Sequence, residues 1–138
     1  MTTRLNPYLS FRDSAREAMD FYQSVFGGEI TSATFAEFHA SEDPVEHDKI
    51  MHSMLEAPNG FVLMAADTPN SMELSSGNNY SVSLSGDNDA ELRSYWEKLS
   101  GSGTVMMPLN KAPWGDSFGM CSDQFGVTWL VNITGSPS

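Results

Sequence analysis

The chain has 138 residues, 40% apolar and 11% aromatic, which is enough for a packed core and too many large apolar side chains for a disordered polymer. Seven Lys and Arg stand against 18 Asp and Glu, a net charge of −11. Phosphate backbones and anionic lipid surfaces require clustered cations, so nucleic acid and membrane are excluded as expected partners. The single cysteine, Cys121, excludes an intrachain disulfide and any CxxC metal or redox motif. The first residues carry no apolar leader, and the longest apolar run, Phe61 to Ala66, falls far short of the roughly 20 residues of a membrane span. A cytoplasmic protein is the expectation.

In chain order, Leu5 to Phe11 reads as a strand. Asp13 or Ser14 can cap a helix, Glu17 completing a capping box from Ser14, and its apolar positions Ala15, Ala18, Met19, Tyr22, Val25 and Phe26 share one face. Gly27-Gly28 stops that helix, and Ile30 to Phe38 predicts a second strand. The acidic segment from His39 to Asp48, with Pro44 and no periodicity, predicts a loop. Ile50 to Glu56 and Phe61 to Asp67 predict a hairpin around Ala57-Pro-Asn-Gly60, with a loop longer than two residues. Thr68 to Asn79, rich in Ser, Asn, Pro and Gly, reads as a linker.

The same order then recurs. Tyr80 to Leu84 alternates as a strand. Asp87 or Asn88 can cap a helix with apolar positions Leu92, Tyr95, Trp96 and Leu99, ended by Gly101-Ser-Gly103. Thr104 to Met107 predicts a short strand and Leu109 to Asp116 a loop. Ser117 to Ser122 and Val127 to Ile133 predict a hairpin around Asp123-Gln-Phe-Gly126. This is an internal duplication. An offset of 74 sets Asp13 on Asp87, Tyr22 on Trp96 and Gly27 on Gly101; in the hairpins an offset of 66 sets Gly60 on Gly126 and Met64 on Leu130.

The fold class is therefore α+β, built from two βαβββ modules. Residues 1–68 form module 1, 69–78 a linker and 79–138 module 2, all within one domain spanning 1–138. Each helix covers one sheet face, so the expectation is that the two curved sheets enclose a shared cleft. Alternation places Val127, Trp129, Val131 and Ile133 against the helix, and Thr128, Leu130 and Asn132 toward the cleft. Val62, Met64 and Ala66 take the cleft side in module 1. Tyr80, Val82 and Leu84 go to the helix, and Ser81, Ser83 and Ser85 to the cleft; a one-residue slip would invert every assignment.

Six segments now carry a resemblance: LNPYLSF from Leu5, AREAMDFYQSVFGGEI from Ala15, IMH from Ile50, MPL from Met107, WGDSFGM from Trp114 and DQFGVTW from Asp123. Together they resemble the vicinal-oxygen-chelate superfamily of glyoxalases, bleomycin-resistance proteins and extradiol dioxygenases, and most closely its PhnB-like branch. The resemblance implies the paired-module fold and a homodimer.

Metal-dependent members of that superfamily place His or Glu at four cleft positions. Carried onto this chain, these fall on Pro7, Met64, Ser81 and Leu130. Proline and leucine have no ligating atom, methionine is soft, and neutral serine is weak. No metal of the usual type is expected. His39 and His47, with Glu42, Asp43, Glu46 and Asp48, read as a solvated acidic loop.

The candidate catalytic residues are His52, which lies in a strand and can exchange a proton near neutral pH, and Asp116, in the Trp-Gly-Asp segment. The candidate ligand-binding residues are Met64, Ser81, Ser83, Trp114, Phe118, Leu130 and Asn132. Trp114 can stack on a flat ligand, while Ser81, Ser83 and Asn132 form a small polar floor. For each, an ordinary structural role remains the competing reading. Cys121 has no activating partner and reads as a small buried residue. There is no Gly-rich nucleotide loop, so no cofactor is expected, and a methyl donor as large as S-adenosylmethionine would lack its cradle. Four readings stay open: a small-molecule binding protein for an apolar or aromatic ligand, a metal-independent enzyme using His52 or Asp116, a metal-dependent lyase or dioxygenase, and an interaction module.

Overall fold

Each half of the chain forms one four-stranded sheet with one helix. The computed structural model describes residues 5–37, 44–69, 72, 74 and 80–135. The chain divides into two compact units, Met1–Ser76 and Gly77–Ser138. Among the described residues no helix is long and apolar enough to cross a membrane.

The first unit contains β1 (Tyr8–Phe11), α1 (Ala15–Phe26), β2 (Glu29–Thr34), a 3-10 turn (Pro44–Glu46), β3 (Ile50–Glu56) and β4 (Val62–Asp67). Its strand order is β1-β4-β3-β2, with β1 parallel to β4 and the remaining pairs antiparallel. The helical face buries Ala15, Ala18, Met19, Tyr22, Val25 and Phe26, the six positions expected from spacing. The cap differs from expectation. Ser14 makes no side-chain cap bond. Instead Asp67 Oδ1 accepts from the Ala15 N–H at 2.9 Å, and its Oδ2 accepts from the Ile50 N–H at 2.9 Å. Asp67 is only 6% exposed, so one buried carboxylate satisfies both the first turn of α1 and the start of β3.

Strand β2 is shorter than expected. Thr34 and Glu37 exchange side-chain-to-backbone bonds, with Thr34 N–H donating to Glu37 Oε2 at 3.2 Å and Glu37 N–H to Thr34 Oγ1 at 3.3 Å, and the chain turns there. Within the acidic segment, His39 through Asp43 lie outside the described residues, and Pro44–Glu46 is helical rather than loop. Most of the expected linker also lies outside them. At its start, the Arg12 guanidinium donates to the carbonyls of Thr68, Pro69 and Met72 at 2.6–3.1 Å.

The second unit contains β5 (Val82–Gly86), α2 (Asp89–Gly101), β6 (Thr104–Lys111), β7 (Ser117–Ser122) and β8 (Thr128–Ile133), in sheet order β5-β8-β7-β6. Asn88 caps α2, its Oδ1 accepting from the Glu91 N–H at 3.1 Å. Strand β6 has eight residues where four were expected. It is an edge strand interrupted by two register shifts, which is where a sheet tolerates Pro108. The loop that follows shrinks accordingly to residues 112–116.

Both hairpins turn through four residues. Gly60 N–H donates to Ala57 O, and Gly126 N–H to Asp123 O, each at 3.0 Å. The two glycines have φ of +90° and +87°, the left-handed residue such turns require.

The internal repeat is real but its spacing is not uniform. Parallel pairing aligns Phe11 with Asp67 and Gly86 with Ile133, so Phe11 corresponds to Gly86. The buried helical positions match Met19 with Leu92, Tyr22 with Tyr95 and Phe26 with Leu99, so Tyr95 rather than Trp96 is the partner of Tyr22. One residue turns a helix by 100°, and Trp96 accordingly points elsewhere. Its ring lies over Gly119, where a Cβ would come within 2.9 Å of Trp96 Cη2.

Candidate functional site

Each sheet has one face against its own helix and one face turned away from that helix, and alternation along the strands decides which side chains occupy each. In the second unit Trp129, Val131 and Ile133 are buried, and Trp96 over Gly119 together with Leu92 beside Gly86 identify theirs as the helix-covered face. Thr128, Leu130 and Asn132 therefore stand on the open face. Register adds their neighbours: Ser83 and Met120 flank Leu130, and Ser85 and Phe118 flank Asn132.

The open face carries its most organised group at the end of β8. Asp116 lies just before β7, after a turn in which Gly115 N–H donates to Ala112 O at 3.0 Å and Gly115 takes φ +102°. Its Oδ2 accepts from Asn132 Nδ2 at 3.0 Å and its Oδ1 from the Gly135 N–H at 2.9 Å. Gly135 can come this close because it has no Cβ, which would sit 2.0 Å from Gly115 O. These bonds stabilise the ionised carboxyl and hold it below its ordinary value of 3.8, Gly135 contributing most, then Asn132, with a smaller contribution from the Trp114 side chain. Trp114 is 65% exposed and meets Phe118 edge-on, ring centroids 6.4 Å apart. Asp116, Asn132, Trp114 and Phe118, four residues singled out in the sequence, are thus one connected group.

Ser83 sits on β5 beside Leu130, on the open face. Ser81 does not join it: the residue precedes the strand and is exposed. Cys121 is fully buried on the helix-covered face, and desolvation pushes its thiol up to about 11, aided by the nearby charge of Asp123.

In the first unit the buried residues Ser53, Leu55, Leu63, Ala65 and Asp67 mark the helix-covered side. Met54 and Met64 pair directly on the other side, and Tyr8 flanks Met64. His52, two residues before Met54, stands on this open face as well. The Tyr8 hydroxyl lies 3.5 Å from His52 Nδ1, and the rings are 6.0 Å apart. Tyr8 is not among the expected site residues: the strand is evident in the sequence, but its register against β4 is not. A small pocket in this unit, lined by Arg16, Met19, Asp20, Ile30, Ser32, Ile50 and Ser53, lies between α1 and the sheet on the helix-covered side, away from His52.

Two of the four positions that the resemblance assigns to a metal, Met64 and Leu130, have Tyr8 and Ser83 as their paired neighbours. Together with Pro7 and Ser81 the set offers a phenol, a thioether, alcohols and alkyl groups. None is the imidazole or carboxylate that holds a catalytic divalent ion, so these residues do not fit a glyoxalase-type centre. Among the described residues no group of three His, Cys, Asp or Glu is arranged to hold a metal.

A βαβββ unit repeated within one chain is the architecture of the glyoxalase fold. Residues 4–131 match the Glyoxalase/Bleomycin resistance protein/Dioxygenase superfamily, and the chain belongs to it. Among solved structures, protein PA1353 from Pseudomonas aeruginosa is 35% identical, with a TM-score of 0.81 over 98% of this chain and 100% of that one. The PhnB protein from Bacillus cereus, provisionally named a 3-demethylubiquinone-9 3-methyltransferase, is 25% identical, with a TM-score of 0.78 over 96% and 100%. Protein YjdN of Escherichia coli (strain K12) is 26% identical over 94% of each chain.

Proposed function

We propose that the protein binds a small apolar or aromatic molecule on the open face of its second sheet, using no metal centre of the glyoxalase type. The observation that supports this is the Asp116 group. One carboxylate fixes an amide, a glycine backbone and the loop bearing Trp114, so an exposed indole, the Phe118 ring and a polar group lie together on the sheet face turned away from α2. Leu130 and Met120 extend it with apolar area, and Ser83 adds a hydroxyl. Preordered aromatic side chains next to one oriented polar group are what a small-ligand surface requires.

The test is a titration of isotope-labelled protein with 2-naphthol, menadione and anthranilate. Amide shifts should cluster around Trp114, Phe118 and Asn132 and saturate with a single affinity. A flat response to all three overturns the proposal.

A second reading, proton transfer, is favoured by the approach of Tyr8 to His52. Asp116 is ill suited to act as the base, because both of its oxygens accept bonds and its lowered pKa weakens it as a proton acceptor. This reading therefore rests on His52. Once an activity is identified, His52→Ala should abolish turnover without altering ligand affinity at Trp114; full activity in that variant removes it. A homodimer is proposed on the family resemblance, and Val105, Met106 and Met107, exposed on edge strand β6, are compatible with an apolar contact there. A sedimentation mass equal to one 15.1 kDa chain would refute it.

A further inference from the structure

The amide of Asn132 is in contact with a carboxylate, which has no proton to give at neutral pH. Only the NH2 end of the amide can face Asp116 Oδ2, and the observed bond at 3.0 Å has that sense. The reverse rotamer would set two oxygens against each other. Asp116 cannot turn away to relieve the choice, because its other oxygen is held by the Gly135 N–H at 2.9 Å. The remaining atom, Asn132 Oδ1, is an acceptor to which no described residue donates. It sits on the open face between Phe118 on one neighbouring strand and Ser85 on the other.

We infer that Asp116 is a positioning residue that locks Asn132 as a hydrogen-bond acceptor, and that the site therefore selects aromatic ligands bearing a donor, such as a phenol or an aromatic N–H, over their capped counterparts. The inference rests on the ligand-binding reading above and narrows its substrate class. A phenolic hydroxyl can donate to Asn132 Oδ1 while its ring meets Phe118 and Trp114. A methyl ether brings the same ring and no donor, leaving the acceptor desolvated and unpaired. In Asp116→Asn the new amide keeps its oxygen on the Gly135 N–H and turns its NH2 group toward Asn132, so the Asn132 amide is driven to reverse and to present its NH2 group, not its oxygen, to the ligand.

The experiment compares 2-naphthol with 2-methoxynaphthalene, measuring each affinity by amide shifts on the intact chain. The wild type should favour 2-naphthol by about tenfold, the value of one well-placed hydrogen bond. Asp116→Asn should lower this ratio below about threefold while retaining 2-methoxynaphthalene binding. Asn132→Leu, which leaves Asp116 bonded to Gly135, should abolish the preference even if Asp116→Asn does not fold. Equal binding of the two probes by the wild type overturns the inference and leaves aromatic binding standing. A tenfold preference that survives in a folded Asp116→Asn or in Asn132→Leu also overturns it. Failure of both probes to bind the wild type removes the inference together with the reading on which it depends.

Discussion

The two units share strand order, turn geometry and a pair of glycines at the helix exits, yet their polar anchors fall in different places. Gly28 lies against Glu56 and Gly103 against Ser122, where an added Cβ would stand 2.1 and 1.9 Å from the respective carbonyl oxygens. That close approach of backbone to backbone is common to both. The anchoring carboxylates are not. Asp67 ties the first turn of α1 to β3, and its counterpart in the second unit is the apolar Ile133. There, Asn88 caps α2 from its own end. Conversely, Asp123 accepts from the Phe125 and Val127 N–H groups and from Trp129 Nε1, at a turn where the first unit has Ala57. The lesson is that the fold demands satisfied backbone donors at fixed places and is indifferent to which residue supplies the acceptor. Two copies can therefore retain one architecture with little identity.

The comparison breaks most sharply at Asp67. Replacing it with alanine strands two buried N–H groups, and Asp67→Ala should lose about 3 kcal/mol in urea unfolding. Asp67→Asn should lose less, since its one carbonyl oxygen can still serve one donor. Equal stability of Asp67→Ala and wild type would refute the anchoring role. Next comes Asp123→Ala, which gives the second turn the residue that the first one has. It should lose about 2 kcal/mol, and the buried Trp129 emission should shift to the red; an unshifted spectrum would count against the indole bond.

Gly119→Ala probes a contact particular to the second unit. Its Cβ would press on Leu109 and on the Trp96 ring, and the expected loss is about 1–2 kcal/mol. The same change paired with Trp96→Leu should recover part of it, and no recovery would place the clash on the Leu109 backbone.

The acid response separates the units more gently. The Asp116 pKa is lowered on folding, so its contribution is fully present above the unfolded value and fades as pH falls through the folded one, a window opening near pH 4 and extending below it. In Asp116→Asn this component of the acid dependence should vanish; an unchanged profile between pH 4 and 2 would contradict it. The smallest signal is chemical. The Cys121 thiol is buried and raised to about 11, so iodoacetamide at pH 8 should modify it only through opening of the second unit. If Asp67→Ala accelerates the reaction as much as Asp123→Ala does, the two units open together.

Periodicity made both helices, the eight described strands and the duplication legible, because burial of one face imposes a pattern on the chain. What it could not reveal lay in register and in contacts distant in sequence. The extension of β6 to Lys111 defies the usual reading of Pro108, and the pairing of Tyr8 with Met64 depends on how a parallel pair settles. Nothing near Ser14 announces that Asp67 will take over its capping role, since 52 residues separate Asp67 from Ala15. At the candidate site Asp116, Asn132, Trp114 and Phe118 were each visible as residue types, but the hydrogen bonds joining them required the fold.

The parallel pairing of first and last strands has a consequence for how each unit comes into being. Tyr8 pairs with Met64 and Val82 with Trp129, so neither sheet can close until nearly all of its unit has left the ribosome. The antiparallel strands β2, β3 and β4 are joined by local connections and can zip early; β1 must wait, held only by the chain, with a long loop to close before it gains a partner. Mutations in β1 should then change the unfolding rate much more than the folding rate, as expected for a segment that docks after the barrier. Asp67, the final residue of β4, is the last strand residue of the first unit to emerge and fastens both the helix start and the first residue of β3, so a nascent first unit gains this buried polar tie only once β4 has been made.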